Sequence, residues 1–238
     1  DLVTEDEISV AKCRCTNGKA DSSAVTVDGF TTDSTHYVKI WTDPSDTGGD
    51  GRGGSYRHLG VWPSSGDIYR LSARLYISDN YVYVDGLAAK TSVGINNGTI
   101  YVSEVSGIKI SNCYLENTGT GSAIFFYQSK ASVWNVIGVS AGGYNHASCG
   151  VFLARQGACT VHLYNCTGIS IGQCYGIFES QYGGVISYAY NCIGESKGGY
   201  YTNGACYVTY SNGVVKGDYS ISDDTSAPGD NSIHSVTL

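Results

Sequence analysis

The sequence predicts an all-β solenoid, a stack of short coils, and three observations carry that prediction. Three Asn-Cys pairs close short runs of alternating apolar residues, in Gly107–Cys113, Thr160–Cys166 and Ile186–Cys192. Looser copies end at Gly86-Leu87, Asn135-Val136 and Asn212-Gly213, so corners at 86, 112, 135, 165, 191 and 212 stand 26, 23, 30, 26 and 21 residues apart. A period in the twenties built from alternating strands marks a solenoid, in which each coil buries its apolar face against the next. The composition agrees: Gly 32, Tyr 20 and Pro 3 among 238 residues suit many strands and tight corners.

In chain order, three strands open the stack: Ile8–Cys13, Ala24–Asp28 and Tyr37–Trp41, the last two divided by Gly29 and Asp33-Ser34. Residues 42–66 are rich in Gly, Asp and Pro and form a loop that leaves the stack. The chain reads as one domain, 1–238. Residues 1–80 hold the first coils with the inserted loop, 81–216 the regular coils, and 217–238 a C-terminal cap, with Ser232–Leu238 as a last strand across the open end.

A second strand recurs in each coil. Aligned on Ala123, Gly150, Gly176 and Gly199, it turns Ile124, Val151, Ile177 and Tyr200 inward. The same alignment turns Phe125, Phe152, Phe178 and Tyr201 outward as an aromatic row. Tyr76, Tyr114, Trp134, Tyr164, Tyr188 and Tyr190 extend this outward set. An exposed aromatic face suits sugar rings or a partner protein, and equally suits cross-strand stacking that stabilises the coils.

Asn at the corner satisfies backbone groups and tolerates left-handed geometry. The residue after it falls inward. Cys113, Cys166 and Cys192 share that position with Leu87 and Val136, so they read as small buried hydrophobes rather than disulfides. Cys13 and Cys15 share one face of a strand, at the upper edge of disulfide distance, and their redox state stays open.

These motifs resemble the right-handed parallel β-helix repeat proteins of the pectate-lyase-like superfamily, and more narrowly uncharacterised environmental bacterial and phage members. The resemblance is carried by Val25–Thr32, His36–Thr42, Tyr81–Leu87 and Tyr164–Cys166, with Gly217–Ser220 and Ser222–Thr225 in the tail. It implies a single-stranded right-handed parallel β-helix of about seven to nine coils. It also implies a capping segment with a short helix before the first strand. The chain begins where that segment would end, so the expectation is that the segment was cleaved or that another segment or subunit covers the open end. None of the matching motifs is catalytic.

The net charge is -7, and 14 Lys and Arg do not make a basic stripe, which argues against nucleic acid. No run of 18 apolar residues offers a membrane span. The first seven residues are acidic, unlike a signal peptide. Asp85, Glu104, Glu116, Glu179 and Glu195 do not recur in one column. Glu179 takes the inward place of Phe126 and Leu153, where burial would raise its pKa and make it a general acid, with Arg155 one coil away as a partner. The alternative is a bent strand that delivers Glu179 to solvent. Asp43, Asp46 and Asp50 are candidate calcium ligands without the spacing of a known loop, and no cofactor motif is present.

The reading favoured by the sequence is a non-enzymatic structural module of an extracellular, cell-surface or virion-associated assembly, packing against copies of itself or a partner. The alternative is a carbohydrate-active or glycan-binding β-helix, lyase-like or hydrolase-like, with a polysaccharide as its partner. Phe125, Phe152, Phe178, Tyr201, Tyr188 and Tyr190 are the candidate contact residues for either.

Overall fold

In the computed structural model, residues 1–15, 17–142, 151–172, 176–196, 205–222 and 227–233 are described. The chain winds through three parallel sheets, contributing one strand to each per turn, for about seven turns. Sheet A holds Ser9–Lys12, Val38–Trp41, Val82–Asp85, Ile108–Ser111, Lys130–Trp134, Thr160–Tyr164, Ile186–Tyr190 and Val214–Asp218. Sheet B runs from Arg70–Leu71 to Ile221–Ser222, and sheet C from Val25–Val27 to Ala205–Tyr210. Each strand inside a sheet pairs in parallel with its counterparts one coil before and after, and each end strand with one. This is the parallel β-helix that the repeat spacing and the resemblance lead one to expect.

The corner between sheets A and B explains the Asn-Cys repeat. Asn112, Asn135, Asn165 and Asn191 all sit at φ 52–54, and Gly86 at φ 80. Asn adopts this left-handed region at lower cost than most residues, and Gly at none. The following residues form the expected core column: Leu87, Cys113, Val136, Cys166 and Cys192 are each at most 1 % exposed. Seven cysteines are described as free, including Cys13 and Cys15.

Two expectations are corrected. The sixth A–B corner is Tyr219, at φ 55, not Asn212. Ala205–Tyr210 belongs to sheet C, and Ser211 and Asn212 turn the chain from sheet C to sheet A. That turn also uses left-handed residues, as at Gln128, Gln156 and Tyr182, so one corner chemistry marks two different corners.

The aromatic row is the second correction. Ile124 pairs with Phe152, and Phe125 with Leu153, a slip of one residue from the expected alignment. Because side chains alternate, the slip reverses their direction. Phe152, Phe178 and Tyr207 therefore point inward and stack, with centroids 5.2 and 4.7 Å apart. Space for these rings and the neighbouring Ile177 and Cys206 comes from sheet B. A Cβ on Gly138 would stand 2.8 Å from Phe152 Cζ, one on Gly168 2.0 Å from Ile177 Cγ2, and one on Gly194 2.6 Å from Cys206 Cβ. Phe125 lies on the other side of sheet C, stacked on Tyr101 at 5.2 Å, yet is only 1 % exposed. Tyr201 lies outside the described residues.

The first coil is only partly covered: Ala11, opposite the core residue Ile40, is exposed. Leu2–Glu5 forms one helical turn, capped by Asp1, whose Oδ1 accepts the Thr4 N–H at 3.1 Å. This places Leu2 in the core cluster at one end of the stack, while Ala227 enters it from the tail, where Ile233 bridges to Ile221. Residues 234–238 of the expected last strand lie outside the described residues.

Candidate functional site

Sheet A presents the richest surface. Its outward side chains form two columns along the stack. One runs Lys39, Tyr83, Lys109, Ser132, His162, Tyr188, Lys216. The other runs Trp41, Asp85, Ser111, Trp134, Tyr164, Tyr190, Asp218, each residue standing just before the A–B corner.

Tyr188 and Tyr190 do point outward, but their rings are partly consumed. His162 and Tyr188 stack at 4.6 Å and 5°, and Tyr164 and Tyr190 at 5.7 Å and 12°. With faces turned to one another, this comb shows solvent chiefly its edges, which is cross-strand stabilisation.

The comb ends where a serine precedes an aromatic. Trp134 follows Ser111 in its column, and its side chain makes no hydrogen bond or ring stack with a described residue. Its ring walls a notch of about 410 Å³, also lined by Lys39, Tyr83, Asp85 and Lys109. A second step of about 350 Å³ opens where His162 follows Ser132, bordered by Lys109 and Lys130. Lys39 rests 3.6 Å above the Trp41 ring and Lys109 4.2 Å above Tyr83, so both ammonium groups are held at the notch.

Behind the notch lies a ridge of buried and half-buried polar groups. Asp85 accepts from Arg57 Nη2 at 2.6 Å, Ser111 Oγ at 2.8 Å and Asn112 Nδ2 at 2.7 Å, and Asn135 Nδ2 donates to Asn112 Oδ1 at 3.3 Å. Burial alone would raise the Asp85 pKa, but bonds from Asn112, Arg57 and Ser111 outweigh it and hold the carboxyl below its ordinary value. Arg57 also donates to the Thr42 carbonyl at 2.7 Å, pinning the 42–66 loop to the corner. His58 Nδ1 accepts the Gly60 N–H at 2.9 Å, so its proton is on Nε2, which donates to the Asn112 carbonyl at 2.8 Å. Burial lowers its pKa and keeps the ring neutral. Between loop and ridge runs a groove of about 570 Å³ that shares Asn112 with the notch.

The other sequence candidates lie elsewhere. Glu179 is fully buried, but on the outward side of sheet C opposite Leu153, and Gln181 donates to it. Arg155 stands opposite Gln181, and bonds Asn96 and, at 3.2 Å, the Tyr182 hydroxyl. Asp43 pairs with Lys12 at 2.9 Å, Asp46 with Arg14 and Lys12, and Asp50 accepts the Asp67 N–H. The three aspartates thus answer cations and a backbone donor instead of converging, and no group of metal-ligating side chains occurs among the described residues. Phe125, Phe152 and Phe178 are buried and offer no contact surface.

The second column of sheet A was readable from the sequence, since it is the residue before each corner. The groove was not: Arg57 meets Asp85 across 28 residues from a loop with no period. The site carries groups suited to binding. It offers a free indole, flanking ammonium groups and neutral hydrogen-bonding groups, while its carboxylates are engaged. Glu116, on sheet B outside this site, takes Lys90 Nζ at 2.6 Å and the Tyr114 hydroxyl at 2.9 Å.

No protein-family model matches the sequence, and no curated protein matches it. Among solved structures the chain is similar to pectate lyase Pel9A, at 11% identity and a TM-score of 0.44. The match covers 90% of this chain and 54% of the other, so the chain spans about half the length of that protein.

Proposed function

We propose that the chain is a carbohydrate-binding β-helix that holds a polysaccharide along sheet A. The observation that carries this reading is the Trp134 step. Sugar rings have an apolar face that stacks on an aromatic ring and hydroxyls that need polar partners, and the notch supplies both. The His162 step lies one coil on, about 4.8 Å along the stack, so neighbouring sugars find successive steps. Lys109 borders both. Such a role fits an extracellular, cell-surface or virion setting.

The test is affinity electrophoresis and titration calorimetry against a polysaccharide panel, with Trp134→Ala as the probe. Loss of an aromatic contact worth about 0.5–1.5 kcal/mol weakens binding roughly two- to tenfold. Tyr190→Ala, within the comb, weakens it less. Absence of binding across the panel, with defined oligomers in solution, would favour the assembly module instead. Release of unsaturated or reducing ends would make the chain an enzyme.

A further inference from the structure

We propose that the groove beneath the 42–66 loop receives a side substituent of the bound polysaccharide, and that this substituent is a carboxylate on an apolar carbon, as in a pyruvate ketal. The inference rests on the glycan reading of sheet A and adds a chemical identity. Notch and groove meet at Asn112, so a sugar in the notch directs a substituent over the ridge and into the groove.

The charges in the groove select an anion. Arg57 is neutralised by Asp85 at 2.6 Å, and His58 is held neutral by its two bonds. Arg52 also lines the groove, is exposed, and its guanidinium makes no hydrogen bond or ion pair with a described residue. One uncompensated cation therefore faces the space, in a chain whose net charge is -7. A guanidinium is suited to bidentate capture of a carboxylate.

The remaining lining calls for carbon. Leu59 is 61 % exposed, and it lines the groove together with Pro44 and Ile137. A carboxylate with no apolar body would leave this wall wet, whereas the methyl of a ketal covers it. Asn135 commits its amide N–H to Asn112, leaving its carbonyl oxygen to accept from a sugar hydroxyl.

The experiment compares a pyruvylated polysaccharide with the same polymer after mild-acid removal of the ketal, by calorimetry on the full chain. The expected result is about tenfold or more weaker binding without the ketal. Arg52→Gln should erase the difference, while Arg52→Lys keeps part of it. Equal binding of the two polymers overturns the groove assignment and leaves the glycan reading standing. A second arm uses the methyl glycoside of 4,6-O-(1-carboxyethylidene)-glucose and the glucuronate glycoside, followed by NMR at Leu59, Gly60 and Asn135. Shifts with the ketal alone support the proposal even if no polymer binds, which would sink only the sheet A reading. Equal shifts with both glycosides overturn the apolar part, and shifts with neither overturn the proposal.

Discussion

Gly168→Ala tests the packing that decides where the aromatic rings point. The added Cβ would lie 2.0 Å from Ile177 Cγ2 and 3.3 Å from Phe152 Cε2, against an ordinary carbon contact of about 3.5–4.0 Å. Ile177 and Phe152 are 1 % and 2 % exposed, so neither can swing into solvent. Overpacking of this kind costs about 1–3 kcal/mol. Loss of glycine's freedom in the unfolded chain offsets about 0.4–1 kcal/mol of that. The net destabilisation is roughly 0–2.6 kcal/mol, or a fall in Tm of up to about 10 °C for a chain of this size. The assay is thermal and urea unfolding followed by circular dichroism. Ile177→Ala alone should cost roughly 2–5 kcal/mol by leaving a cavity. In that background the methyl at 168 fills space instead of colliding, so the double variant should lose less than the sum of the two singles. A strictly additive double variant would refute the interlocked Gly and Phe columns.

Two further outcomes are expected. Cys113, Cys166 and Cys192 are at most 1 % exposed, and burial pushes the Cys113 thiol up to about 12, so all three should resist thiol reagents until the protein is denatured; rapid labelling of the native chain would contradict the core column. The Asp85 carboxyl has its pKa lowered in the fold, so its contribution is complete above the ordinary carboxylate value of about 3.9 and is lost as pH falls through the lower, folded value. Hydrogen-exchange protection of residues 55–60, corrected for the intrinsic rate at each pH, should therefore be flat from neutral pH to about pH 5 and fall in stronger acid, and Asp85→Asn should show the loosened loop already at pH 7; protection that is insensitive to both would show that Arg57 does not anchor the loop.

Five strands of sheet A were legible because each ends at an Asn or Gly that the corner geometry demands. Asn112, Asn135, Asn165 and Asn191 thus carry their own register, and the inward Cys113, Cys166 and Cys192 follow by counting one residue on. Sheet C has no such marker. Aligning its strands on Ala123 and Gly150 was reasonable from small residues alone, but it misplaced Phe125 against Phe152 by one position. Since neighbouring side chains face opposite ways, that single step exchanged a surface row for a core stack. The clue lay in another sheet, in Gly138, Gly168 and Gly194, which leave the volume the rings and their neighbours occupy. Asn212 misled for a related reason: left-handed residues serve both the A–B and the C–A corners.

The sequence by itself therefore determined the solenoid, its period and the content of the corner column, because these depend on local alternation and on backbone conformations that few residues adopt. Tertiary structure alone decided which aromatic faces remain free, that Arg57 crosses from a loop to Asp85, and that Leu2 packs into the core at the first coil. Those outcomes depend on which residues the register sets side by side between coils, and on volumes shared by different sheets, neither of which any local stretch of chain encodes.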